Sequence, residues 1–298
     1  MNIARLTDAT SYTIAPGHEL RRANADEIEF IKSTFERRIL PHPFNWDASV
    51  WERPLDSSEG PLPESEWRYF VMSRGENPPP FQEFQETFDL SPLELEAGIF
   101  AIPMPDHGAG VGFVLPRVFQ VLEENYRNDS FFVDVSARDI DQMRAIHSQL
   151  CQWQGVGPLD VRSLARQLSD LKCLPHRSQL RFLGYFALLE SLLTHPPKPL
   201  DPYDSITRQV KKKLALLDRR FSRKIDYAPF GGAGAESVWS KMYDYRSLVA
   251  HGGSPQFAGQ LQVLGNAETA LTLIKETVKA VIRQALTEPQ LIVDLRDC

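Results

Sequence analysis

The segment FLGYFALLESLL, residues 182–193, carries apolar side chains on almost every side of a helix. A helix that is apolar all round lies buried among other helices. We therefore expect this segment to be the central core helix of a helical domain, interrupted only by Glu190. His195-Pro196-Pro197 then ends the helix, because proline cannot donate the backbone hydrogen bond of a helix interior.

Long amphipathic segments with few prolines lie on both sides of this helix. Their apolar spacing predicts helices near residues 137–153, 160–171, 177–195, 203–221, 236–251 and 266–286. The tail QLIVDL, residues 290–295, is interpreted as a strand whose partner the sequence does not identify. Residues 136–298 are therefore expected to form an all-α domain.

The first 135 residues differ in composition from the rest of the chain. Prolines recur between residues 42 and 106, in HPFNW, GPLPE, NPPPF and IPMPD. Such a segment favours loops and short elements. We expect a helix over Ala25–Leu40 that Asn24 caps. We also expect strands at 67–73, 97–104 and 130–135, a helix at 117–126, and a turn in GAGVGF at 108–113. The predicted fold class is α+β, with a mixed domain over residues 1–135 and a helical domain over residues 136–298.

The charge of the chain is divided in the same way. Residues 1–150 contain 13 Lys+Arg and 25 Asp+Glu, a net charge of −12, whereas residues 151–298 contain 20 and 14, a net charge of +6. A basic domain is a candidate for contact with polyanions. The basic residues are densest between residues 201 and 224, where the alternative is an ordinary solvated helix face.

The remaining composition excludes several classes of protein. With 298 residues, 42% hydrophobic and 24% charged, the chain is neither wholly disordered nor a fibrous rod. Three cysteines without a CxxC pair and seven histidines without metal-ligand spacing predict no disulfide framework, no metal and no cofactor. No apolar run approaches the roughly 20 residues of a membrane span, and the N-terminus lacks a signal peptide. These features predict a soluble cytoplasmic protein without membrane contact.

The string VWSKMYDYRSLVAHGG, residues 238–253, places Arg246 and His251 five positions apart at the end of a predicted helix. Five residues turn a helix by about 500°, so the two side chains point about 140° apart and do not share a face. Two arrangements would bring them together. Either the helix is distorted at the glycine pair, or two copies of the chain pack across a two-fold axis.

An arginine and a histidine that converge suffice to cleave RNA without a metal. An imidazole exchanges protons near neutral pH, as the attacking 2′-hydroxyl and the leaving 5′-oxygen require. A guanidinium binds two phosphate oxygens and stabilises negative charge at the phosphorus. The structural alternative is that Arg246 pairs with a carboxylate such as Asp244 while His251 caps the helix C-terminus.

Three segments of the second half together resemble the HEPN superfamily, most closely its ApeA-like branch: FLGYFALLESLLTH at 182–195, SITRQVKKKLALLDRRF at 205–221 and YDYRSLVAHGG at 243–253. The resemblance covers about half of the chain and does not reach residues 1–135. It implies an up-and-down four-helix bundle that forms a homodimer and a metal-independent endoribonuclease site. Arg246 and His251 are the implied catalytic residues, with Glu190 on the facing helix as a third. Ser247 follows the arginine, as is usual in this branch, where many HEPN nucleases have Asn, Asp or His.

Further residues are expected to contact RNA near this motif. Tyr243 and Tyr245 each either stack on an unpaired base or pack in the core. A buried carboxylate needs a partner, so Glu190 either orients Arg246 or lies in water at the rim of the bundle. The other predicted substrate-binding residues are Ser247 and a track for the RNA backbone, Lys211, Lys212, Arg219 and Arg220.

Two alternatives belong to other functional classes. One is a non-catalytic HEPN bundle that binds RNA or a protein, and the other is the toxin half of a pair with a nucleotidyltransferase, modified near Tyr245. If the resemblance extends to biology, the setting is antiviral defence or growth arrest. The acidic first domain would then respond to a regulatory protein or a phage-derived trigger, or restrain the nuclease.

Overall fold

The computed structural model describes residues 3–6, 11–34, 63, 67, 69–74, 81–93, 95, 99–104, 108–113, 132–198, 201 and 204–298. The chain divides into two compact units, Met1–His147 and Ser148–Cys298. This division falls inside the helix that follows Val135, downstream of the boundary expected after residue 135.

Short strands form three separate groups in the described part of the N-terminal unit. They are β1 (Ile3–Leu6), β2 (Ser11–Ala15), β3 (His18–Arg22), β4 (Phe70–Arg74), β5 (Ile99–Met104), β6 (Gly108–Phe113) and β7 (Phe132–Val135). β2, β3 and β4 form an antiparallel sheet in that order, β5 and β6 form an antiparallel pair, and β1 pairs in parallel with β7. Gly17, at φ 76°, makes the turn between β2 and β3 in a conformation that only glycine adopts easily.

The strands predicted at residues 67–73, 97–104 and 130–135 are confirmed as β4, β5 and β7, whereas β1, β2 and β3 were not predicted. The prediction for GAGVGF was wrong, because this segment is strand β6 rather than a turn. It pairs along its whole length with β5, from Gly108 opposite Met104 to Phe113 opposite Ile99. Its glycines lower strand propensity, so the extended conformation depends on hydrogen bonds from the partner strand.

The described part of the N-terminal unit contains the starts of α1 (Ala25–Thr34), α2 (Phe81–Leu90) and α3 (Ala137–Gln152). Asn24 caps α1 as predicted, because its side-chain oxygen accepts from the Glu27 N–H at 2.9 Å while Glu27 accepts from the Asn24 N–H at 2.8 Å. α2 follows a proline run and was not predicted, although it buries Phe84 and Phe88 in the core of this unit. Residues 35–40 and the helix predicted at 117–126 lie outside the described residues.

The described part of the C-terminal unit is helical. Its helices are α4 (Val161–Leu171), α5 (Gln179–Leu193), α6 (Ile206–Leu217), α7 (Ala235–Ala250), α8 (Ala267–Thr287) and α9 (Pro289–Asp297). The helices predicted from apolar spacing are confirmed, although α6 ends before the predicted residue 221. The strand predicted at 290–295 was wrong, because this segment is α9. Pro289 fits the first position of a helix, and Ile292 is buried, at 1% exposure.

α5 is the central helix of this unit, as predicted. It contacts α4, α6, α7, α8 and α9, and it buries Phe182, Phe186 and Leu189 among them. Gly184 allows α4 to approach closely, since a Cβ atom there would lie 2.2 Å from Cδ2 of Leu171. Helices and small sheets together confirm the α+β class. Within the described residues, no helix combines the length and the hydropathy needed to cross a bilayer.

Candidate functional site

Helix α7 carries most of the predicted site. Val238, Trp239, Met242, Tyr245 and Val249 form its buried side. The ring of Trp239 packs edge-on against Phe186 of α5, with ring centroids 6.3 Å apart. Because these apolar side chains fix how α7 lies on α5, the polar side chains between them are held against the C-terminal part of α5.

Arg246 of α7 forms an ion pair with Glu190 of α5, and Nη2 lies 3.3 Å from Oε2. Of the two alternatives for Glu190, the structure shows the pairing with Arg246. The Glu190 side chain is 16% exposed and the Arg246 side chain 38%, so the carboxylate faces inward while the guanidinium reaches solvent. Asp244 is not the partner of Arg246, because its carboxylate accepts from Nζ of Lys241 at 2.8 Å.

Tyr243 lies three residues before Arg246 on α7 and packs edge-on against Phe186, at 5.2 Å between ring centroids. Its hydroxyl oxygen is buried and has no hydrogen-bond partner among the described residues. Burial, and then the neighbouring Glu190 carboxylate, raise the pKa of the Tyr243 phenol. A half-buried ring whose hydroxyl faces the ion pair is not a free platform for a base. The spacing of three residues on one helix is a sequence signal for this contact.

The C-terminus of α7 is closed by a Schellman motif that accounts for both glycines of the HGG sequence. Gly252, at φ 73°, donates its N–H to the Val249 carbonyl at 3.1 Å, and Gly253 donates to the Leu248 carbonyl at 2.8 Å. A Cβ atom on Gly253 would lie 2.9 Å from Cδ2 of Leu248 and 3.1 Å from its carbonyl oxygen. Glycine is therefore favoured at both positions by the geometry of the helix end.

His251 is the C-cap residue of α7 and is exposed. Its backbone N–H donates to the Ser247 carbonyl at 3.1 Å, as in the preceding helix, and the chain changes direction only at Gly252. Of the two arrangements considered, the distortion that would turn His251 back towards Arg246 is therefore absent from this described helix end. The imidazole makes no hydrogen bond or ion pair with any described residue. Along the axis of a regular helix the two residues are about 7.5 Å apart.

Tyr245 packs in the core rather than beside an RNA base. It is 3% exposed, and its ring lies 4.2 Å from Phe182 and 5.2 Å from Phe257 between centroids. Burial also raises the pKa of its phenol. Base stacking at Tyr245, and covalent modification of this side chain, are both incompatible with that packing. Ser247, the other motif residue predicted to contact substrate, is exposed.

The predicted basic track consists of two kinds of residue. Lys211 pairs with Glu236 at 3.3 Å, and Arg220 pairs with Glu288 at 2.9 Å. Lys212 and Arg219 are exposed and make no ion pair with any described residue. Arg219 and Arg220 follow the end of α6, so the four cations do not lie along one helix as the sequence predicted.

The groups around Arg246 suit an anion better than a metal ion. The described groups beside it are one carboxylate and one phenol, whereas protein metal sites combine several carboxylate, imidazole or thiolate ligands. Arginine carries five N–H donors in a planar fork, and the single contact to Glu190 leaves others for a phosphate group.

No protein-family model, curated protein or solved structure matches this chain.

Proposed function

We propose that this chain is a metal-independent endoribonuclease of HEPN type that acts as a homodimer through its helical unit. The observation that carries the proposal is the Arg246–Glu190 pair, in which an inward carboxylate holds a guanidinium that is 38% exposed. His251 stands exposed at the end of the same helix. One fixed cation for a phosphate and one uncommitted imidazole are the two groups that this reaction needs.

The geometry of α7 supports the proposed dimer. Arg246 and His251 point about 140° apart, and α7 stays regular up to its C-cap, so one chain does not join them. A two-fold axis beside the exposed end of α7 would bring Arg246 of one protomer towards the partner subunit's His251. The resemblance to HEPN dimers supports the same arrangement.

The reaction is a transesterification within the RNA. His251 removes the proton from the 2′-hydroxyl, the 2′-oxygen attacks the adjacent phosphorus, and the bond from phosphorus to the 5′-oxygen breaks. An imidazolium returns a proton to that oxygen, giving a 2′,3′-cyclic phosphate and a 5′-hydroxyl. Arg246 holds the non-bridging oxygens and stabilises their charge as the fifth bond to phosphorus forms. Glu190 positions Arg246 and takes no part in proton transfer.

The experiment is cleavage of single-stranded RNA by the full-length protein in EDTA, with analysis of the product ends. We expect His251→Ala to abolish cleavage while the fold and the proposed dimer persist. His251→Lys is the matched control, because it keeps a basic side chain at the helix C-terminus but lacks an imidazole. Cleavage by either variant at the wild-type rate would refute the role given to His251.

A mixing experiment tests the dimer directly. We expect homodimers of Arg246→Ala and homodimers of His251→Ala to be inactive. A mixed dimer of the two variants, however, retains one intact Arg246 opposite one intact His251. Random exchange makes half of the dimers mixed, so we expect recovery of about a quarter of the wild-type activity. No recovery in verified mixed dimers would contradict a site shared between protomers.

A second function, binding of RNA or a protein without cleavage, is favoured by the Schellman motif and the ion pair, because both are ordinary stabilising features of helices. In that case the wild-type protein binds RNA in EDTA without producing cyclic phosphate ends. The toxin half of a nucleotidyltransferase pair is the remaining proposal, with its modified residue elsewhere than Tyr245.

We further propose antiviral defence or growth arrest as the setting, with the acidic N-terminal unit restraining the nuclease or responding to a protein trigger. The net charge of −12 over residues 1–150 fits an electrostatic restraint on a basic surface. Expression of residues 136–298 alone should then be more toxic to cells than the full chain. Equal toxicity at equal protein levels would count against restraint.

A further inference from the structure

The hydroxyl of Tyr243 is buried without a hydrogen-bond partner among the described residues. Such groups are rare in folded proteins, because a buried donor loses its bonds to water and gains none in exchange. The Tyr243 hydroxyl meets Glu190 at the margin of hydrogen-bonding geometry: the distance and angles are not those of a formed bond, yet burial, the charge of this carboxylate and a weak bond to it together raise the Tyr243 pKa. The unused donor therefore belongs to the same cluster as the ion pair.

Glu190 has acceptor capacity to spare for this donor. Among the described side chains, the one that forms a full hydrogen bond to the Glu190 carboxylate is Arg246, through Nη2 at 3.3 Å. That distance is long for a charge-assisted bond, which is usually about 2.7–2.9 Å. A carboxylate accepts about four hydrogen bonds, so the phenol and the guanidinium need not exclude each other.

A difficulty arises when Arg246 binds a phosphate, as the proposed function requires. The phosphate binds N–H donors that Glu190 does not use, but it then shares the single positive charge of the guanidinium with Glu190, whose side chain is only 16% exposed. A largely buried carboxylate whose counter-charge is shared in this way is destabilised. Without a further donor to Glu190, this penalty would oppose substrate binding.

We propose that Tyr243 is a positioning residue whose hydroxyl forms a full hydrogen bond to Glu190 when Arg246 also binds a phosphate. Tyr243 and Arg246 lie three residues apart on α7, so both side chains reach the same carboxylate on α5. The raised pKa keeps the phenol protonated, and therefore a donor, throughout the neutral range. This inference rests on the proposed function, because it assumes that Arg246 binds an RNA phosphate.

The test is binding of single-stranded RNA with methylated 2′-hydroxyls, which cannot undergo the cleavage reaction, to the full-length protein. Tyr243→Phe removes only the hydroxyl, and we expect about a tenfold weaker affinity from the loss of a hydrogen bond to a charged group. Tyr245→Phe is the matched control, since it removes a hydroxyl from the same helix on the side that packs against Phe182. We expect no change in its affinity.

A double-mutant cycle separates this role from a direct contact with RNA. In the Glu190→Gln background no buried charge needs the hydroxyl, so Tyr243→Phe should change the affinity less than twofold, within about 0.4 kcal/mol. An undiminished effect in that background would overturn the proposal. The proposal would also be overturned if Tyr243→Phe and Tyr245→Phe had the same RNA affinity while Arg246→Ala bound RNA more weakly. The proposed function would survive that result, because Arg246 would still bind the phosphate. If Arg246→Ala leaves RNA affinity unchanged, the proposed function itself fails.

Thermal unfolding provides a readout that a structural role would move. Because the free protein gives the Tyr243 hydroxyl no partner among the described residues, Tyr243→Phe should melt at or above the wild-type temperature. A melting temperature clearly below that of Tyr245→Phe would show that the hydroxyl already has a stabilising partner. That result would overturn the proposal, in which the full hydrogen bond to Glu190 forms only when Arg246 also binds a phosphate.

Discussion

Substitution of Gly252 by alanine tests the link between the end of α7 and the candidate site. Gly252 adopts φ 73°, and a Cβ atom added there would meet no atom within 4 Å, so the substitution strains the backbone without a clash. Left-handed backbone costs a non-glycine residue about 1–2 kcal/mol. The less flexible unfolded chain offsets about 0.4–1 kcal/mol of this cost. We therefore expect a net loss of about 1 kcal/mol, or about 2–4 °C in the melting temperature of the C-terminal unit.

Gly232→Ala is the matched control for this prediction. Gly232 lies at φ 84° in the loop before α7, and a Cβ atom there also meets nothing within 4 Å. Both variants should lose the same stability, measured by thermal unfolding. Only Gly252→Ala should also lose RNA cleavage, because relaxation of its φ angle moves the chain beside His251. If Gly252→Ala were as stable as the wild type, residue 252 would not need a left-handed backbone conformation. If both variants lost RNA cleavage equally, the loss would not arise from the position of His251.

Three further outcomes are expected. Arg246→Ala should lower the free energy of unfolding by about 1–2 kcal/mol in denaturant titrations. Glu190→Gln should lower the free energy of unfolding less than Arg246→Ala does, because the exposed Arg246 guanidinium remains hydrated. A larger loss in Glu190→Gln would contradict the finding that Glu190 is the more buried of the two. Burial lowers the pKa of His147, so below about pH 6.5 the unfolded chain takes up more protons than the folded N-terminal unit. Stability should then fall as the pH falls through that range, and an unchanged slope in His147→Gln would exclude His147 as its cause. Lys212→Ala should reduce the salt dependence of RNA binding by about 0.7 in slope, whereas Lys211→Ala, which removes an ion-paired cation, should reduce it less.

The C-terminal unit was largely predictable because its helices are long and periodic. The apolar run at 182–193 identified α5 as the central helix, and the cost of an unpaired carboxylate in that run led to Arg246 as the partner of Glu190. Both inferences rest on the burial of a helix that is apolar on all sides. This burial follows from the composition of the helix itself and does not depend on particular tertiary contacts.

Shorter segments were harder to predict because their conformation depends on contacts distant in sequence. The tail at 290–295 has the composition of a strand, but Pro289 and the buried Ile292 make it a helix. β6 is extended because β5 pairs with it, despite three glycines in six residues. Tyr243 and Tyr245 are two positions apart on one helix, and only the positions of Phe182 and Phe186 decide which of them is enclosed.

Arg246 and His251 differ in the contacts that their side chains make, and this difference bears on the proposed function. Arg246 has a partner on another helix, and that partner is more buried than Arg246 itself, so the fold holds the guanidinium at a defined place in solvent. His251 has a defined backbone but a side chain that contacts no described polar group. A regular helix end keeps the two apart by about 140°, and the Schellman motif stabilises that regular end. This separation within one chain is the reason that the proposed function places the pair at an interface between two chains, and mixed dimers of single variants are its most direct test.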